Sequence, residues 1–189
     1  MRPIHFQVGT VSEGSRKQRM KALVGIIMGS DSDSQVMAEA AKVLQQFGVP
    51  YEIGVYSAHR SPHRTLKYVS SARARGLKII IAGAGSSAHL AGVTAAETIL
   101  PVIGVPIDSS PLSGFDALLA TVQMPPGVPV STMGVGKSGA TNAAILAVQM
   151  LALADEALAT KLSDYKAKLE VTVAEKSKKV AAELGPREN

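Results

Sequence analysis

Leu23-Val24-Gly25-Ile26-Ile27-Met28 is an apolar run without alternation. A strand with one wet face alternates apolar and polar residues; a run apolar at every position reads as a strand covered on both faces of a parallel sheet. Gly29-Ser30-Asp31-Ser32-Asp33 follows at once, and then a helical pattern. Val36, Met37, Ala40, Val43, Leu44 and Phe47 form one apolar stripe, and Gly48 and Pro50 end it as helix stops do. Ser32 and Gln35 have capping-box spacing. This unit of buried strand, Gly/Ser turn and amphipathic helix decides the fold, because the chain repeats it.

Working outward, Tyr51–Tyr56 reads as a second strand and Leu66–Arg75 as its helix, with Leu66, Val69 and Ala72 inward and Gly76 as the stop. Ile79–Ala82 is a third strand, followed by a small-residue loop, Gly83–Ser87, and a helix over His89–Thr98. Pro101–Val105 is a fourth strand. Pro106–Pro126 is a long connection with a short helix around Asp116–Val122. Val128–Thr132 is the fifth strand and Ser138–Ala154 the next helix. The alternation predicts an α/β fold: a three-layer, doubly wound, five-stranded parallel sheet, flavodoxin-like, with strand order 2-1-3-4-5 taken by analogy. In such a sheet the turns after strands 1, 2 and 3 share one edge, so Gly29–Asp33, Ser57–Ser61 and Gly83–Ser87 converge on one pocket.

The predicted organisation is a flexible extension over 1–21, a catalytic α/β domain over 22–155, and a C-terminal helix and tail over 156–189. The domain is unusual in one respect. Lys137 is the one charged residue between Asp116 and Asp155, and the helix within 139–154 is apolar or small nearly all round. That pattern predicts burial on every side and hence a homo-oligomer. The amphipathic helix after Asp155, with Leu158, Leu162, Tyr165, Leu169 and Val173 on one face, has no evident place on the sheet and is predicted to dock on a neighbouring subunit.

Composition narrows the function. Of 189 residues, 46% are hydrophobic, enough for a sizeable core, and there is no Cys, which excludes disulfides, thiolate metal sites and a cysteine nucleophile. The net charge of +5 falls largely at Arg16, Lys17, Arg19 and Lys21 and over 161–179, which reads as a solvated tail and helix face rather than a nucleic-acid groove. Residues 1–20 lack the apolar core of a secretory signal, and Ile79–Ala96 is too rich in Gly, Ser and His for a bilayer span. The expectation is a cytoplasmic protein without membrane or nucleic-acid partners.

The chemistry concentrates at the strand ends. Ser57-Ala58-His59-Arg60-Ser61-Pro62 packs an imidazole, a guanidinium and two hydroxyls onto a strand-to-helix turn. Pro62 suits a helix's first turn and Ser61 its cap. Arg60 in a pocket calls for an anion such as phosphate, and His59 suits proton transfer near neutral pH. In Gly29–Asp33, free backbone N–H groups favour an anion, Ser30 and Ser32 add donors, and Asp33 suits sugar hydroxyls; plain N-capping accounts for the same stretch equally well. His63 reads as an exposed helix residue. His89 either lines the pocket or orients the Gly/Ser loop before it. The histidines and carboxylates have no metal-site spacing, so no metal is expected.

These stretches, with Ile81-Ala82-Gly83-Ala84-Gly85, Leu100–Pro106, Val122-Gln123-Met124-Pro125 and Gly127-Val128-Pro129-Val130, together resemble the purine-pathway aminoimidazole ribonucleotide carboxylase family. The likeness is to its class I form, the N5-carboxyaminoimidazole ribonucleotide mutases, and covers roughly residues 23–155. The resemblance implies a cytoplasmic, cofactor-free isomerase, usually a homo-octamer. It would move a carboxylate from the exocyclic nitrogen of a ribonucleotide to carbon 4 of its imidazole ring. It makes His59 the acid/base and gives Ser30, Asp33, Ser57, Arg60, Gly85, Ser86, Ser87 and His89 to substrate binding.

The chain departs from the family pattern in places. Ser86-Ser87 stands where Gly-Ala is usual, Ala91 where Pro is usual, Ala117 and Ala120 where Ser is common, and Ser61 where Thr is common. The first group leaves three alternatives beside the mutase: an altered rate or substrate, a class II carboxylase using free carbon dioxide, or a non-catalytic nucleotide-monophosphate binding module. Arg60 beside His59 favours class I, since class II members tend to carry Lys there. A flavodoxin-like electron carrier is disfavoured by the absence of Trp and the scarcity of aromatics.

Overall fold

A computed structural model describes residues 21–185. The predicted extension therefore lies outside the described residues except for Lys21. The elements are β1 (Val24–Met28), a 3-10 turn (Asp31–Asp33), α1 (Ser34–Phe47), β2 (Tyr51–Val55), α2 (Pro62–Arg75), β3 (Ile79–Gly85), α3 (Leu90–Glu97), β4 (Val102–Ile107), α4 (Phe115–Val122), β5 (Ser131–Thr132), α5 (Gly136–Ala152) and α6 (Glu156–Leu184). The five strands form one parallel sheet in the order β2-β1-β3-β4-β5, as predicted.

Both faces of the sheet are covered. Val24, Ile26, Met28, Ile81, Ile103 and Val105 pack with α1 and α5 on one side. Ile27, Ile80, Ala82 and Val102 pack on the other, with Val69 and Ala72 of α2, Leu90 and Ala91 of α3, and Ala117 of α4. β1, β3 and β4 are buried along nearly their whole length, so their apolar runs lack alternation. α1 and α2 both end on a left-handed glycine, Gly48 (φ +73°) and Gly76 (φ +105°), the backbone geometry an L side chain resists.

The structure moves several predicted boundaries. β3 runs through Gly85, three residues past the predicted end, pairing Ala84 with Pro106 and Gly85 with Ile107. Gly83-Ala84-Gly85 reads as a loop by β-propensity. It is strand because it pairs with β4, and position 83 is glycine because α1 packs close: a Cβ there would fall on Met37 Sδ. β4 likewise runs through Pro106 to Ile107. β5 pairs only with Ile103 and Gly104, so at Pro106 the strand has a neighbour on one side and a missing N–H is tolerated. β5 shrinks to two residues because Pro129, next to Val128, cannot donate to a ladder.

The capping box expected at Ser32 and Gln35 is absent. Instead the Asp33 carboxylate accepts from the Ser30 N–H at 3.0 Å, closing the 3-10 turn, and α1 starts at Ser34. α5 is buried along one face within the chain, at Gly139, Ala140, Ala143, Ala144, Ala147 and Val148, rather than all round. α6 finds a home that the sequence did not reveal. Leu158 and Leu162 join the core on the α1/α5 side, Tyr165 meets the edge of Phe47 at 5.5 Å, and Lys161 Nζ donates to the Phe47 carbonyl at 2.9 Å. Past Tyr165 the helix leaves the body, with Leu169 and Val173 exposed.

Candidate active site

The C-terminal edge of the sheet holds a pocket of about 360 Å³. Gly29, Ser30, Ser32 and Asp33 line it from the loop after β1, Ser57, Ala58, His59 and Arg60 from the loop after β2, and Ala84–Ser87 with Leu90 from the end of β3 onward. The three turns expected to converge do so.

The turn after β2 is built by its own hydroxyls. Ser57 Oγ accepts from the Arg60 N–H at 3.0 Å, and Ser61 Oγ donates to the Ser57 carbonyl at 3.2 Å while accepting from the Ser57 N–H at 3.3 Å. Ser61 thus occupies the cap position of α2, but its side chain ties the turn instead of capping the helix, contrary to expectation. Thr65, fully buried, donates from Oγ1 to the Ser57 and Ser61 carbonyls, each at 3.1 Å, and fixes the turn to the first coil of α2. Pro62 opens the helix, as predicted.

Arg60 crosses from this turn to the next strand: its Nη2 donates to the Gly29 carbonyl at 3.1 Å. One such bond leaves most of the planar fork free for an anion. Asp33 is buried beside it. Desolvation holds its carboxyl above the ordinary carboxylate range, while the Ser30 and Gly29 N–H groups and Arg60 pull the other way. Asp31, on the outside of the turn, is lowered by the Ser30 hydroxyl, which donates to it at 3.0 Å. The residues between Glu52 and Glu97 include Arg60, Arg64, Lys67, Arg73, Arg75 and Lys78 and no acidic side chain. Of these only Arg60 lines the pocket, with Arg64 and Lys67 in the first turns of α2; Arg73, Arg75 and Lys78 lie toward the opposite edge of the sheet, and Arg75 pairs with Glu52 at 2.8 Å.

His59 meets His89 across the pocket mouth, Nε2 to Nδ1 at 2.9 Å, with the rings nearly perpendicular. His89 is not in the pocket wall but at the end of the turn that leads into α3. His63 is exposed on α2, as read from the sequence. Ser86 holds φ +51°, one of two non-glycine residues with positive φ among the described residues. The residue that sequence reasoning missed is Ser109, in the loop after β4. The signal was available: all parallel strands end on the same edge, so the turn after β4 belongs to the site as much as the first three. Among the described residues no group of three or more His, Asp or Glu is placed to hold a metal ion.

A family model for AIR carboxylase matches residues 23–172. The chain belongs to the AIR carboxylase family. Of its relatives, N5-carboxyaminoimidazole ribonucleotide mutase of Bacillus subtilis is 54% identical over 158 residues, covering 84% of this chain and 98% of the relative. Phosphoribosylaminoimidazole carboxylase of Saccharomyces cerevisiae is 53% identical over 177 residues, covering 94% of this chain but 31% of that longer protein. Among solved structures, PurE of Treponema denticola superposes with a TM-score of 0.72 at 27% identity, covering 87% of this chain and 99% of the other. The AIR carboxylase match confirms the family resemblance drawn from the motifs, and the PurE superposition the flavodoxin-like fold. No helix among the described residues is long and apolar enough to cross a membrane.

Proposed function

We propose that this protein is an isomerase of purine biosynthesis, an N5-carboxyaminoimidazole ribonucleotide mutase. It moves the carboxylate from the exocyclic nitrogen to ring carbon 4, giving 4-carboxy-5-aminoimidazole ribonucleotide. The name of the bacterial relative, matched over nearly its full length, supports this activity over the class II alternative. We assign Arg60, Ser30 and Ser57 to the phosphate and Asp33 to the ribose. Gly85, Ser86 and Ser87 take the carboxylate, and His59 acts as the acid/base.

The observation that carries the mechanism is the His59–His89 contact. A carbamate loses carbon dioxide readily once its nitrogen is protonated. His59 gives that proton, the carbon–nitrogen bond breaks, and its electron pair stays on nitrogen. Ring carbon 4 then attacks the carbon dioxide, and the proton that it sheds returns to His59. The cycle needs one proton, given and taken back. Two facing ring nitrogens 2.9 Å apart share one N–H; a second N–H between them would repel. With that bond intact the pair stores a single additional proton, which matches the need. Small side chains at Ala58, Ala84 and Gly85 leave room for carbon dioxide and bring backbone close to it.

The cytoplasm is the proposed location and a homo-octamer the proposed assembly. Support for assembly comes from apolar surface that this chain leaves bare: Phe115, Leu119 and Val122 along one face of α4, Ile99 and Leu153, and the outer part of α6. The C-terminal helix beyond Tyr165 is proposed to lie on a neighbouring subunit. The test of the catalytic assignment is His59→Asn. Turnover should be abolished while ribonucleotide binding, measured by calorimetry, survives; near-parental turnover would overturn it.

A further inference from the structure

Ser86 lies where an L side chain resists the backbone. At φ +51° it occupies the left-handed region, which glycine enters freely and serine enters at a cost. The turn is closed by the Ala88 N–H on the Ser86 carbonyl at 2.9 Å and the His89 N–H on the Ser87 carbonyl at 2.8 Å. These bonds hold the backbone and do not require a hydroxyl at position 86. That hydroxyl faces Ser109 Oγ at 3.4 Å. A well-formed hydroxyl pair is about 2.7–2.8 Å apart. The two groups are therefore too distant to satisfy one another, and near enough to donate together to one acceptor between them. Strand pairing and close packing set the spacing: Gly85 pairs with Ile107, and a Cβ on Gly85 would overlap the Ser109 hydroxyl and lie 2.9 Å from the Ile107 carbonyl oxygen, so the end of β3 and the start of the loop after β4 are held together with no room for a side chain between them.

Both hydroxyls line the pocket. The strand order places them on its β3–β4 side, while Arg60 enters from β2 and Ser30 from β1. We propose that Ser86 and Ser109 form a two-hydroxyl clamp on the carboxylate in transit, holding its oxygens between release from nitrogen and capture by carbon. This rests on the mutase reading of the same pocket. The chemistry favours neutral donors here. The group is an anion in the substrate, uncharged as carbon dioxide and an anion again in the product. A cation would hold the two anionic states more tightly than the intermediate and slow the exchange; hydroxyls discriminate less between them. Neither serine gains or loses a proton overall.

The test compares the parent with Ser86→Gly, Ser109→Ala and the double variant. Given the carbamate substrate, each single variant should let carbon dioxide escape, raising the share of turnovers that end at the decarboxylated amine by about two- to tenfold. The double variant should fall short of the product of the two effects, because both hydroxyls serve one acceptor. Binding is the second arm: by calorimetry, both single variants should bind the 4-carboxylated ribonucleotide more weakly and the carboxyl-free ribonucleotide as the parent does. Ser86→Gly should also raise Tm by relieving the left-handed serine, which separates the clamp from damage to the fold. An unchanged escape share in both singles, or equal weakening of the two ribonucleotides, overturns the clamp. A parent that shows no turnover defeats the mutase reading, and the binding arm then decides the clamp by itself.

Discussion

Replacing Gly85 with Ala tests whether the end of β3 shapes the pocket. The added Cβ would overlap the Ser109 hydroxyl and meet Ser109 Cβ at 2.8 Å and the Ile107 carbonyl oxygen at 2.9 Å. The hydroxyl can rotate away, but the carbonyl belongs to β4, paired with Gly85 itself. Either the last β3–β4 pair opens or the loop after β4 is pushed outward. Overpacking of this kind costs about 1–3 kcal/mol. In a chain of this size each kcal/mol lowers Tm by about 2–4 °C, so a fall of about 2–12 °C is expected in a thermal melt followed by circular dichroism. Mutase activity should fall further than stability, because the displaced residues line the pocket. Adding Ser109→Ala should recover part of the lost stability by removing the hydroxyl but not the backbone contact, and should recover no activity, because it also removes a clamp hydroxyl. A Gly85→Ala protein with Tm within 1 °C of the parent and full activity would refute the argument that close packing sets the site.

Two other outcomes follow from the site's charges. Asp33 has a carboxyl raised by burial, so its contribution to stability is present below its unfolded value, near 3.8, and is lost as pH rises through the folded value. Asp33→Asn should therefore flatten the acid side of the stability curve and be more stable than the parent at neutral pH, while binding ribonucleotide more weakly; a variant destabilised at neutral pH would contradict this. The cationic face of α2 should speed capture of an anionic substrate. The double variant Arg64→Glu/Lys67→Glu, altered at two exposed residues in the first turns of α2, should lower kcat/KM severalfold in dilute buffer with kcat unchanged, and the deficit should shrink in about 0.5 M salt. A deficit indifferent to salt would exclude steering.

The strands covered on both faces were legible because burial removes alternation: 23–28 and 79–82 could be read directly. Chemistry carried by a turn was legible for the same topological reason, since His59, Arg60, Ser30 and Asp33 all follow a strand end. What failed were positions where tertiary packing overrides local preference. Gly83–Gly85 reads as loop until its pairing with β4, and Met37 lying against Gly83, are seen. Pro106 argues against strand until β4 proves to have one neighbour there. Ser61 is a good cap by type, yet the Ser57 backbone claims its hydroxyl. Ser109 was hidden in a long connection whose start, rather than its length, mattered. The docking of α6 depends on Phe47 and Tyr165, 118 positions apart, which no local pattern links.

The central claim is that one imidazole moves a carboxylate within one pocket and needs no other reactant. Its most direct test is the conversion of N5-carboxyaminoimidazole ribonucleotide by the purified full chain in the absence of ATP, run beside aminoimidazole ribonucleotide with bicarbonate. The account predicts rapid formation of the 4-carboxylated product from the carbamate, with label from added carbon-13 bicarbonate largely excluded from that product. Efficient turnover of aminoimidazole ribonucleotide with free carbon dioxide, and none of the carbamate, would contradict it.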